Sequence, residues 1–298
     1  MMITISSLKA FSHINRLSNI GHAFLEDVSH QAQGGNFYRP LLTISLILSA
    51  QISGTMPVGY HLIDILLHCA SCCLLFVTLQ MIGFKRSISF LGALVFCIHP
   101  AMTQAVAWIA GRNDSLLAVF ILMCFISFMK FLSTSHLKWY FTHFLFFMLA
   151  MFTKETSIVF PILAMLYFYN LKGKEIISLT TVLFVVGWGI VLFNWHILRT
   201  AAMITPVGDK VQAALMVFSN LPIALYYLGN IFWPINLSFA PISSDIHITA
   251  GIISVVLLSL AVLLSERRDW KLIIALVRCG LLHSWFQRSI MILQFTCR

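Results

Sequence analysis

Four sets of polar residues sit where an otherwise apolar chain has little reason to carry them. The first is the run His99-Pro100-Ala101-Met102-Thr103-Gln104-Ala105-Val106-Ala107-Trp108-Ile109-Ala110-Gly111-Arg112-Asn113-Asp114, which places a histidine, an arginine and an aspartate between two strongly apolar segments. Charges so close to a bilayer are expensive, so they are either functional or paired. Asp114 stands at a helix entrance, where it either caps the helix that follows or serves chemistry. The second set is His61, Asp64 and His68, spaced i, i+3, i+7 and therefore on one face of a helix. An intramembrane aspartate between two histidines is either a functional group or a hydrogen-bond network that sets helix packing. The third is Lys154-Glu155, two charges between two apolar stretches. They either neutralise each other or present a cation to an anionic headgroup such as a phosphate or pyrophosphate. The fourth is Arg39, after Tyr38 and before Pro40. Its guanidinium suits a phosphate, and a Tyr-Arg pair equally suits anchoring at a membrane interface.

The elements that must position these groups are membrane helices. The chain has 298 residues, 59% hydrophobic and 10% charged, with a mean hydropathy of +0.91. A soluble domain carries roughly 25% charged residues. The apolar runs recur along the whole length without strand alternation, so the expected fold is all-α and polytopic. The formal net charge is +9, from 19 Lys and Arg against 10 Asp and Glu. The basic residues fall in short loops, where they set topology, and no basic run is interleaved with aromatics, so nucleic acid is not an expected partner. Of the seven cysteines, Cys69, Cys72, Cys73, Cys97 and Cys124 lie in apolar runs. Cys69-x-x-Cys72 has metal spacing, but no second Cys or His pair completes a zinc site, and His61, Asp64 and His68 offer three ligands at mixed depth. No metal and no cofactor is expected.

Residues 41–50 are apolar but short, which suggests an interfacial or re-entrant helix. Gly59–Met81 is the first full span and ends at Lys85-Arg86. Ser89–Ala110 is the second, broken at His99-Pro100 because proline removes a donor and disfavours helix before it. Ser115–Leu132, Trp139–Phe152, Ser157–Tyr169, Ile176–Ile197 and Ile246–Leu264 continue the series, with Lys154-Glu155-Thr156 as a tight turn. Val211–Phe232 reads as a surface helix lying on the bilayer, and Leu272–Leu293 as a poor last span. The total is about seven to nine membrane segments. Lys85, Arg86, Lys130, Lys138, Lys172, Lys174, Arg267, Arg268 and Lys271 fall on one side, so the candidate chemistry faces the periplasm or lumen. Four regions follow: 1–58, a loop with the interfacial helix; 59–197, a transmembrane core; 198–245, a periplasmic or luminal loop with an amphipathic helix; and 246–298, C-terminal membrane segments. Residues 1–39 show no cleavable signal peptide.

In order along the chain stand Phe37-Tyr38-Arg39-Pro40-Leu41, Gly59-Tyr60-His61-Leu62-Ile63-Asp64-Ile65-Leu66-Leu67-His68, the His99–Asp114 run, and Phe152-Thr153-Lys154-Glu155-Thr156. Over roughly residues 12–245 the series resembles the bacterial relatives of the transmembrane and tetratricopeptide-repeat O-mannosyltransferases, which are GT-C membrane glycosyltransferases. The resemblance implies a GT-C fold in the bacterial inner membrane or the ER membrane. It implies a polyprenyl-phosphate-linked sugar donor and metal-independent, inverting transfer to a protein or glycan hydroxyl. Arg112 and Lys154 would stabilise the lipid phosphate, with Asp114 and His99 lining the same cavity; Arg39, His61, Asp64 and Glu155 complete the binding set, and Asp114 is the one candidate for the catalytic base. Three departures stand out. The family's first membrane helix and the acidic motif after it are absent here. Position 104 is Gln where many relatives carry Glu, and no repeat period near 34 residues is visible. The expectation is a truncated and inactive copy. The alternatives are a transporter or flippase working through His61, Asp64 and His68, and a non-catalytic lipid-binding membrane protein.

Overall fold

The computed structural model describes residues 14–26, 37–172, 178–202, 221–234 and 248–264. All regular structure among them is helical. After two short 3-10 turns, Leu17–Ile20 and His22–Phe24, come α1 (Pro40–Ser53), α2 (Pro57–Ile82) and α3 (Arg86–Ile98). A 3-10 turn, Pro100–Met102, and the short α4 (Thr103–Ala107) lead through a second turn, Ile109–Gly111, into α5 (Arg112–Thr134). Next are α6 (Leu137–Thr153), a 3-10 turn at Glu155–Val159, α7 (Phe160–Lys172), α8 (Leu179–Ala202), α9 (Leu221–Phe232) and α10 (Thr249–Leu264).

The chain is a multi-pass integral membrane protein. Among the described residues three helical stretches, Pro57–Ile82, Ile109–Thr134 and Leu179–Ala202, are long and apolar enough to cross a bilayer. Arg86–Ile98 with Pro100–Ala107 makes a fourth if the pair, bent by 53°, is one span. The bend lies where the sequence puts it: His99 is extended, with ψ 126°, because Pro100 disfavours helix there. Leu62, Leu66, Phe90, Leu91, Val186 and Phe193 are exposed, as side chains facing lipid should be.

Helix boundaries follow local chemistry. Pro40 and Pro57 each occupy a first-turn position, where the missing N–H is no loss. Gly83, with φ 112°, ends α2 in the left-handed region and accommodates the sharp turn into α3.

Residues 1–158 and 186–206 form one compact unit, and 159–185 with 207–298 form another. In the first, α5 packs against α6 and α2, while α1 packs on α2 and α6. His143 on α6 is fully buried and ties three helices together. Its Nε2 accepts from Trp188 Nε1 on α8 at 2.9 Å, and its Nδ1 stands 3.1 Å from the Cys124 carbonyl on α5. An indole N–H can only donate, so Nε2 is the acceptor and the proton sits on Nδ1. In the second unit, α9 packs on α10 through two glycines: a Cβ on Gly229 would lie 2.8 Å from the Gly251 nitrogen, and one on Gly251 would meet the Leu225 carbonyl.

The structure sharpens several sequence expectations. The apolar stretch at 41–50 is part of a 14-residue helix, too short to span. The tight turn expected at Lys154-Glu155-Thr156 is a 3-10 turn over Glu155–Val159, with Lys154 just before it. Of the expected surface helix Val211–Phe232, only Leu221–Phe232 lies within the described residues, and it packs against α10. Residues 265–298, including Leu272–Leu293, fall outside the described residues, as do Lys174 and the basic loop at 265–271.

Candidate functional site

The site is built around two neighbouring sets of charges. The inner one joins α1, α2 and α5. Arg112, the first residue of α5, and Asp64, two turns into α2, form an ion pair with neither side chain exposed at all. The guanidinium also donates to the Ser49 hydroxyl at 2.6 Å, the Ser45 carbonyl at 3.1 Å and the Tyr60 carbonyl at 2.9 Å. A buried cation is tolerable only when its donors are so occupied, and Arg112 has each of its three nitrogens engaged. Asp64 Oδ2 has no hydrogen-bond partner.

The outer set spans Arg39, Asp114, Lys154 and Glu155. Lys154 leaves the last turn of α6 in extended geometry, φ −161° and ψ 135°, and its ammonium pairs with Asp114 in the first turn of α5. Burial holds that ammonium below the ordinary lysine range; Asp114 pulls the other way, and Arg39 adds to the lowering. Glu155 points to the entry of α1, where Arg39 Nε and Nη2 both donate to its Oε2, at 3.2 and 3.1 Å. The Arg39 guanidinium also lies over the Phe37 ring, 4.1 Å from its centroid. Lys154 and Glu155 form no ion pair with each other; each takes its ion-pair partner from a distant part of the chain. The four formal charges sum to zero, yet the set is not saturated. Glu155 Oε1 and Thr156 Oγ1 are buried without a partner.

Asp114 does not cap α5. The N-cap is Gly111, with no side-chain cap bond, and the Asp114 carboxylate goes to Lys154. It is the most open of the outer charges, its side chain 35% exposed against 7% for Lys154. Nor is Tyr38 an interface anchor. It is fully buried, donates to the Phe24 carbonyl at 3.0 Å and meets the Phe152 ring edge-on, and burial pushes its phenol up to about 12. The N-terminal 3-10 turns are thereby docked beside the residues that precede Lys154, with Phe24 also edge-on to Phe152.

The intramembrane trio divides. Asp64 is taken by Arg112, His68 Nε2 lies 3.1 Å from the Cys97 carbonyl, and His61 is half-buried and near enough to Asp64 to act on its charge. His99 stands at the break in the bent span, where its Nδ1 accepts from the Ala101 N–H at 3.2 Å. Sequence reasoning did not find Ser45, Ser49, Tyr60 or Thr156. The i, i+4 pair Ser45 and Ser49, on the buried side of an apolar helix, was the available signal.

Part of this chain is similar to known proteins. Protein O-mannosyl-transferase TMTC1 of Mus musculus is 34% identical over 111 residues, 37% of this chain and 11% of that protein. TMTC1 of Homo sapiens is 36% identical over 109 residues, 36% of this chain and 12% of that protein. TMTC2 of Homo sapiens is 37% identical over 103 residues, 33% and 12%. This chain is related to the protein O-mannosyl-transferases. The matches span only about a tenth of the length of these relatives. No family model matches, and no solved structure matches. The relation agrees with the family that the sequence resembles.

Proposed function

We propose that the chain is a GT-C-type membrane protein whose outer charge set binds the phosphate of a polyprenyl-phosphate-linked sugar on the periplasmic or luminal side. Lys154 and Arg39 receive the phosphate, an anion placed against cations at a water-poor surface. Glu155 Oε1 and Thr156 Oγ1, both without partners, accept and donate to sugar hydroxyls. Asp114 is the candidate base for an acceptor hydroxyl on a protein or glycan, released from Lys154 when the phosphate takes the ammonium. Arg112 and Asp64 hold α1, α2 and α5 in register beneath it. Counting α6, α7 and α10 as crossings beside α2, the bent α3–α4 pair, α5 and α8 gives seven spans, with α1 interfacial.

The observation that carries this reading is the crossed pairing of Arg39 with Glu155 and Lys154 with Asp114, with two buried oxygens left unfilled. A second reading, lipid binding without turnover, is favoured by the same pairing, since Asp114 is already neutralised by Lys154. The test uses the full chain in nanodiscs with polyprenyl phosphate, then with the mannosylated lipid and a peptide acceptor. Lys154→Gln should weaken phosphate-lipid binding by tenfold or more. Asp114→Asn should leave that binding and lower transfer by about 10²–10⁴. Equal binding of polyprenol and polyprenyl phosphate sinks the proposal; tight phosphate-lipid binding with no transfer selects the second reading.

A further inference from the structure

A second polar cluster lies deeper along α2. His68 and Cys72 are one helical turn apart on α2, and Cys97 is in the last turn of α3. The two helices are joined by the tight turn at Gly83, and Cys72 and Cys97 lie at similar distances either side of it, so the fold brings them level. One ligand atom from each of His68, Cys72 and Cys97 lies within 4.8 Å of the others. Cys72 Sγ is 3.9 Å from His68 Nε2. His68 Nε2 also lies 3.1 Å from the Cys97 carbonyl, which is available because the helix stops at His99 and leaves the last carbonyls of α3 without intrahelical partners. A cation bound through Nε2 takes the place of that hydrogen bond. Cys97 is exposed, as are Cys69 and Cys73, but those two lie outside the cluster.

We propose that His68, Cys72 and Cys97 form a binding site for a thiophilic d10 cation, zinc(II) by charge balance. Two thiols and an imidazole are soft to borderline ligands, and no carboxylate joins them, which disfavours magnesium and calcium. Zinc bonds are about 2.3 Å to sulfur and about 2.0–2.1 Å to nitrogen, which puts ligand atoms under roughly 4 Å apart, so rotamer shifts close the cluster. On binding, Cys72 and Cys97 each release a proton. The complex of one Zn²⁺, two thiolates and a neutral imidazole then carries no net charge, which is what an apolar surround tolerates. Three protein ligands leave one coordination position open. The site would clamp α2 to α3 just before the bend.

The experiment takes the full chain in detergent, reduced and stripped with a chelator, and titrates it with Co²⁺ as the spectroscopic probe and Zn²⁺ as competitor. One equivalent of Co²⁺ should raise a thiolate-to-metal charge-transfer band that Zn²⁺ removes. Cys72→Ser and Cys97→Ser should each lower the apparent affinity by at least tenfold, and the Cys69→Ser/Cys73→Ser pair should leave it unchanged. A band that survives in Cys72→Ser/Cys97→Ser, or no band at all from chain that still gives a native helical spectrum, overturns the proposal. None of these outcomes depends on the lipid site.

Discussion

Removing Arg112 is the sharpest test of how the charges are held. In Arg112→Ala the Asp64 carboxylate would stay on α2 with no counter-charge, fully enclosed, and its Oδ2 has no partner even now. Truncating one member of a buried ion pair costs about 3–5 kcal/mol, because the survivor is left charged and dry. At 1.4 kcal/mol per tenfold, that is a fall of about two to three and a half powers of ten in the folding equilibrium. The three further hydrogen bonds of Arg112 go at the same time, but their loss is not additive with the pair. Lys154→Ala makes the control. Its partner Asp114 is 35% exposed, so water can reach the orphaned carboxylate and the expected loss is about 1 kcal/mol. The double variant Arg112→Met/Asp64→Leu should recover most of the stability, as apolar replacement of buried pairs does. Reversible unfolding in mixed micelles, followed by tryptophan fluorescence, gives all the values. A loss under about 1 kcal/mol for Arg112→Ala, or no recovery in the double variant, would refute the claim that the pair is dry and obligatory.

Two other outcomes follow from the geometry. The Lys154 ammonium is held below its ordinary 10.5 by burial, so affinity for polyprenyl phosphate should fall as pH rises through a midpoint under that value. The folded state binds this proton less tightly than the unfolded one, so the same group contributes stability that grows as pH climbs through its folded pKa; an alkaline loss of binding without alkaline unfolding, absent in Lys154→Gln, is the expected record. Gly111→Ala puts a Cβ against the Gln104 carbonyl and 3.3 Å from the Trp108 ring. Because a backbone must yield, the expected cost is about 1–3 kcal/mol, with lowered lipid affinity as the entry of α5 shifts; unchanged melting would show that α4 gives way freely.

The sequence made the helices and the break legible for clear reasons. Uninterrupted apolar runs can only be helices in lipid, and Pro100 forces His99 out of helical geometry wherever the chain goes next. The charged residues that matter were also legible, since each stands out against its neighbours. Their pairing was not. Lys154 and Glu155 are adjacent, and adjacency suggested mutual neutralisation, whereas the folded chain gives them partners 40 and 116 residues away. Asp114 showed the same limit: its position suited a cap, but Lys154 arrives from α6 and takes the carboxylate. Local spacing reports which face a residue occupies, and helix packing alone decides what lies opposite. The Cys69-x-x-Cys72 spacing likewise says nothing of Cys97, which comes near Cys72 from another helix.

The Asp64–Arg112 pair also bears on how the chain enters the membrane. Arg112 is synthesised 48 residues after its partner. At about 5–20 residues per second, Asp64 waits roughly 2–10 s for its counter-charge. A lone aspartate at the centre of an inserting helix costs about 2.5–3.5 kcal/mol, somewhat less near an end. During that interval α2 is a reluctant passenger, held at the lateral gate or tilted to keep its acid wet. When α5 arrives, Arg112 supplies the counter-charge and the two helices, separated by the α3–α4 segment, can share the bilayer as a neutral pair.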